Sequence, residues 1–128
     1  MTVVEQAYFA RDVVSHLKAT GGGTWDVKTR QEMGGKPLFA VSMYKNVEER
    51  VHPAHDLERA VSKFLTKNKE RLSMDMRYLG IWRNEQNGMV YLDVTIVTED
   101  KELAVAVAAR HDQIAIFDLA NYQDINVN

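Results

Sequence analysis

Between Arg77 and Leu119 the chain sets four regular segments close together: Tyr78-Leu79-Gly80-Ile81-Trp82, Met89 to Val97, an alanine-rich helix, and Ile114 to Asp118. The first two bracket Asn84-Glu85-Gln86-Asn87-Gly88, and an Asn-Gly pair ahead of a β-rich run signals a hairpin. Alternation sorts the faces of its second strand. Val90, Leu92, Val94 and Ile96 point one way into a core, whereas Met89, Tyr91, Asp93, Thr95 and Val97 point the other way. A hairpin of this length commits the chain to an antiparallel sheet, and it carries no catalytic or cofactor signature.

The rest of the chain supplies elements to cover that sheet. Val3, Ala7, Ala10, Val14 and Leu17 recur at helical spacing, with Thr2 and Glu5 placed for a capping box and Gly21-Gly22-Gly23 placed to end the helix. Thr24 to Thr29 and Pro37 to Tyr44 read as short strands joined through the turn-rich 31–36 segment, with Phe39, Val41 and Met43 on a buried face. Asn46 to His52 is polar enough for a short edge strand or a loop. A second helix is predicted at about 54–71 behind Pro53, its stripe made of Leu57, Val61, Phe64, Leu65 and Leu72. The third helix begins near Thr98, acidic at its start and ending in Arg110 and His111. The expectation is a single α+β domain over residues 1–128, a mostly antiparallel sheet with three helices in the order α-β-β-(β)-α-β-β-α-β. At 128 residues, 45% hydrophobic and 27% charged, the chain sits in the ordinary range for one globular domain.

No cysteine is present, so disulfides and thiolate metal sites are excluded, which fits a reducing compartment. The amino terminus has no basic region followed by an apolar run, and no segment approaches a membrane span, so the expectation is a cytoplasmic protein without a membrane partner. Charge is uneven along the chain. Residues 1–84 carry fourteen basic and ten acidic side chains, residues 85–128 two basic and eight acidic, or +4 against −6. Such polarity can orient a partner.

Arg77-Tyr78-Leu79-Gly80-x-Trp82, Gly88-x-Val90-Tyr91-Leu92-Asp93-Val94 and Gln113-x-Ala115-Ile116-x-Asp118-Leu119 resemble a pattern in uncharacterised small proteins of actinobacterial phages and mobile elements. The resemblance covers roughly the carboxy-terminal half. It implies a genomic setting and no activity.

Candidate chemistry is sparse. His52-Pro53-Ala54-His55-Asp56 is the densest set of metal-ligand types, but Pro53 separates the two imidazoles, so no metal or cofactor is expected. Asp93 and Asp118 could divide acid and base roles if neighbouring strands brought them together, although Asp118 stands where a strand ends and aspartate commonly bonds nearby amides. The serines lie in no nucleophile context, and the glycines lack the spacing of nucleotide loops.

Surfaces offer more. Tyr78 and Trp82 share a strand face that hairpin pairing extends to Tyr91; left open it could stack nucleic-acid bases, but with three helices available to cover the sheet the expectation is that a helix covers it and makes it half the core. Lys63, Lys67, Arg77 and Arg83 with Trp82 form the nucleic-acid set. In the third helix, Leu103, Ala106 and Val107 suffice to pack on the sheet. Ala104, Val105, Ala108 and Ala109 are then left facing outward, where small side chains permit close approach of a partner or of a second copy. The leading expectation is a non-catalytic accessory protein acting by protein binding, with a homodimer in view. Nucleic-acid binding and a small hydrolase using Asp93 and Asp118 are the alternatives.

Overall fold

The structure, a computed structural model, describes residues 1–42 and 45–127, the side chain of Lys45 excepted. Helix α1 (Val3–Thr20) starts where the Thr2 hydroxyl accepts the Glu5 N–H and the Glu5 carboxylate accepts the Thr2 N–H. It stops at Gly21, whose φ of +89° is left-handed and leaves its N–H bonded to the Leu17 carbonyl. Then follow β1 (Gly22–Asp26), β2 (Gln31–Glu32), β3 (Phe39–Ser42), a 3-10 turn (Lys45–Val47), β4 (Glu49–Val51), α2 (Leu57–Lys67), α3 (Lys69–Leu72), β5 (Arg77–Arg83), β6 (Val90–Thr98), α4 (Lys101–Arg110), β7 (Ala115–Asp118) and β8 (Gln123–Asn126).

All strands pair antiparallel, in the order β2-β1-β5-β6-β3-β7-β8, with β4 also on β6. β6 is nine residues long, and its length explains the arrangement. One edge carries β5 from Arg83↔Val90 to Arg77↔Ile96, while the other takes β4 at Val90 to Leu92 and β3 at Thr95 to Thr98. The hairpin turn closes as its sequence predicts, with Gly88 at φ +74° and its N–H bonded to the Asn84 carbonyl.

Four helices replace the three expected among the described residues. The predicted 54–71 helix breaks at Asn68, which is buried and donates its side-chain amide to the Phe64 carbonyl. That bond satisfies a carbonyl at the end of α2 and lets the chain restart as α3. The expected last strand is a hairpin, because Gln123-Asp124-Ile125-Asn126 folds back on β7. Its polar composition hides it from a reading that looks for apolar alternation. Met43 and the end of the expected third strand at Tyr44 lie outside the described residues.

The helices all cover one face of the sheet. Phe9, Val13, Leu17, Trp25, Val61, Phe64, Leu79, Ile81, Leu92 and Val94 form the larger core beneath α1 and α2. Beneath α4, on the same face, the core is Val41, Ile96, Ala104, Ala108 and Ile116. Among the described residues no helix covers the other face. Its covering is Met33, Ala40, Val97 and Leu119, with Leu38, Tyr78 and Phe117 packed against them, held by the chain around 33–38 and the turn after β7. The expectation that a helix covers the aromatic face is therefore corrected: Trp82 remains 41% exposed.

On that face a Cβ at Gly80 would collide with the Asp93 carboxylate of the paired strand. Both residues are buried, so neither has room to give. Gly80→Ala is expected to destabilise the protein by about 1–3 kcal/mol, the usual cost of overpacking. Urea denaturation checks this, and the loss should shrink when Asp93→Ala is added, because the two positions share one space.

Candidate functional site

The helix-free face carries two polar rows across the sheet. Cross-strand pairing aligns Arg50 of β4, Tyr91 of β6, Trp82 of β5 and Gly22 of β1. The Arg50 guanidinium lies 4.8 Å from the Tyr91 ring centre, and the Trp82 and Tyr91 rings are 4.5 Å apart at 52°. Asn87 and Asn84 donate to the Tyr91 hydroxyl at 2.9 and 3.4 Å, so the buried ring is fixed from its tip as well as its faces. The next row holds Asp93, bonded by the Ser42 hydroxyl and facing the charge of Glu48, which itself pairs with Arg50 at 3.6 Å. Burial first, and then the Glu48 charge, push the Asp93 carboxyl from its usual value near 3.8 up to about 6, against the Ser42 bond. Neither Arg50 nor Glu48 stood out in the sequence. The alternation of Glu48, Arg50 and the strand opposite is the signal that could have found them.

Asp93 and Asp118 do not converge. Asp118 is level with Phe39 and Thr98, five residues further along β6 from Asp93 and two strands across. The offset along the strand alone is roughly 17 Å. The two also point to opposite faces, and the Asp118 carboxylate is occupied with the Ala120 and Asn121 amides and the Asn121 side chain. Those bonds, the Asn121 side chain first, hold its carboxyl below the ordinary range.

The nucleic-acid set is also divided. Lys63 and Lys67 line an open cleft of about 640 Å3 on α2 with Glu49, Ala60, Ser62 and Thr66, and Lys67 is tied to Glu49 at 3.1 Å. α2 covers the face opposite Trp82. Arg77 and Arg83 alternate with Tyr78 and Trp82, and so stand on the helix side at the two ends of β5, roughly 20 Å apart. The His52 and His55 rings lie 6.1 Å apart, but His52 Nδ1 accepts the Ala54 N–H and Asp56 caps α2. Among the described residues no three His, Asp or Glu side chains gather where a metal could be held.

α4 is turned the other way from its expected setting. Ala104 and Ala108 are fully buried against the sheet, Val105 and Val107 are half-buried, and Leu103, Ala106 and Ala109 are exposed. The reason is spacing. α4 packs chiefly on β3, β6 and β7, and side chains as small as alanine let it settle closely there. A helix apolar nearly all round leaves that choice to the fit. Of the expected docking residues, Val105 and Ala109 therefore reach the surface and Ala104 and Ala108 do not. Val107, Ile125 and Val127 pack half-buried against the smaller core, and Leu103 is 40% and Ile114 70% exposed.

No family model, no curated protein and no solved structure matches this chain.

Between about pH 4 and 6 the folded state keeps a proton on Asp93 that the unfolded chain has released. Stability therefore falls as pH rises through that window, by roughly 3 kcal/mol, and stays at the lower level above it. Asp93→Asn should remove this slope and leave the variant more stable than the parent at pH 7. Urea titrations across pH 3.5–7.5 check it; an unchanged slope would assign the proton elsewhere.

Proposed function

We propose that this chain is a non-catalytic accessory protein of a phage or mobile element that acts in the cytoplasm by binding protein. It docks through the outward side of α4 and the adjoining end of the sheet. The observation that carries the reading is the smaller core beneath α4, where Ala104 and Ala108 are buried and Val105, Val107, Ile125 and Val127 pack half-buried at its margin, while Leu103 of the same helix and Ile114, whose carbonyl accepts the Val127 N–H, are exposed. Apolar surface rimmed by charge is what protein interfaces bury. Glu99, Asp100 and Glu102 at one end of α4 and Arg110 at the other supply the rim. The genomic setting rests on the motif resemblance in the carboxy-terminal half, and the compartment on the absence of cysteine.

The separation of Asp93 from Asp118 weighs against a hydrolase, and the placement of Lys63 and Lys67 behind the sheet from Trp82 weighs against one continuous nucleic-acid surface. Capture with the tagged protein from host cytoplasm, with nuclease and salt controls, tests the reading. The expected result is a partner that survives nuclease and is lost with Leu103→Glu, while Trp82→Ala retains it. Circular dichroism and the melting temperature should change little in Leu103→Glu, because the side chain is largely outside the core. Material that disappears with nuclease, or with Trp82→Ala alone, would overturn the reading.

A further inference from the structure

The edges of the sheet are not alike. At one end β2 is two residues long, and on β4 the edge residue Glu49 is held by Lys67. Short strands and charged side chains are the usual devices that keep an edge from pairing with another chain. β8 has neither. Its residues Gln123, Asp124, Ile125 and Asn126 include no lysine, arginine or proline, and β7 is its partner on one side.

The direction of its free backbone groups follows from the register. Val127 donates its N–H to the Ile114 carbonyl at 3.0 Å, and Ile125 pairs with Ile116. In an antiparallel ladder alternate residues bond inward, so Gln123, Ile125 and Val127 spend their backbone groups on β7 while those of Asp124 and Asn126 point away from the sheet. On the helix side, Ile125 and Val127 are half-buried at the margin of the smaller core, beyond the strands on which α4 chiefly packs.

We infer that the chain forms a twofold dimer in which β8 pairs antiparallel with β8 of a second copy, centred on Ile125, so that the two sheets become one. This rests on the protein-binding reading and names its partner at the sheet edge. Chemistry favours this register. Centred on Ile125, Asp124 meets the partner's Asn126 and Asn126 meets the partner's Asp124, so the outward N–H and C=O groups of both residues are satisfied by reciprocal bonds. Carboxylate then faces amide. Moving the axis by half a residue would set outward groups against inward ones, and moving it to Asp124 would set like charges face to face, which destabilises a pair. Ile125 falls opposite the partner's Ile125 at the position where no backbone bond intervenes and side chains come closest. The same axis turns the acidic start of α4, with Glu99, Asp100 and Glu102, toward the side on which the partner's α4 ends in the partner's Arg110.

Because the chain has no cysteine, a single introduced one reports this pairing directly. Ile125→Cys is expected to form a disulfide-linked dimer under mild oxidation, read on a non-reducing gel. Asp124→Cys should do so much more slowly, since its equivalents are offset along the strands. Sedimentation of the unaltered chain should show a doubling of mass with concentration, lost in Asn126→Pro. That substitution removes an outward N–H and leaves the inward bonds to β7, so its circular dichroism should match the parent. A chain that sediments as a monomer at every concentration overturns the inference, as does a dimer that survives Asn126→Pro or cross-linking no faster at position 125 than at 124. Capture lost with Leu103→Glu from such a monomer would leave protein binding standing and show that β8 does not serve a second copy; loss of both would remove the two readings together.

Discussion

β6 pairs with β5 over seven residues, from Arg77↔Ile96 to Arg83↔Val90, and the rest of the molecule is arranged around that ladder. Its alternation divides every neighbouring residue between two environments. Leu79, Ile81, Leu92 and Val94 receive α1 and α2, and a register slip of one residue would turn one strand over, bringing either Trp82 or Tyr91 and Asp93 under the helices instead. The cost of burying those polar groups against Phe9 and Phe64 is what holds the register.

The opposite face shows how a sheet without a helical cover is kept from being an apolar surface. Tyr91 is enclosed by Arg50, Trp82, Asn84 and Asn87, and Asp93 occupies the space that a side chain at Gly80 would need. This arrangement favours glycine at position 80 and keeps Asp93 beside Glu48 in a poorly solvated place. A carboxyl pushed up to about 6 by burial is a source of instability at neutral pH. Its neighbours fit it closely: Ser42 bonds its carboxyl, and Gly80 leaves it room.

The helix side is uneven in the other direction. Under α1 and α2 the core contains Phe9, Trp25 and Phe64, whereas under α4 the helix contributes Ala104 and Ala108. Small side chains bring α4 close to β3 and β7 and leave Leu103 outside and β8 beyond its shelter. Exposed Leu103 and the edge strand β8 both lie within residues 85–128, the segment that carries the net negative charge.

Local chemistry made much of this legible. Thr2 and Glu5 announce the first helix, Gly21 its end, Asn87-Gly88 the hairpin, and the period of two in Val90 to Ile96 its buried face, because each depends on neighbours close in the chain. The antiparallel α+β class follows from them. What the sequence could not determine are the facts that depend on distant partners: the break at Asn68, the second strand of the last hairpin, the face of α4 that meets the sheet, and the distance between Asp93 and Asp118. Alanine and valine on all sides of a helix satisfy either orientation, and a polar strand such as Gln123 to Asn126 becomes a strand because β7 offers it hydrogen bonds. Only the assembled sheet, by setting which residues lie opposite one another and how near a helix can approach, decides between such alternatives.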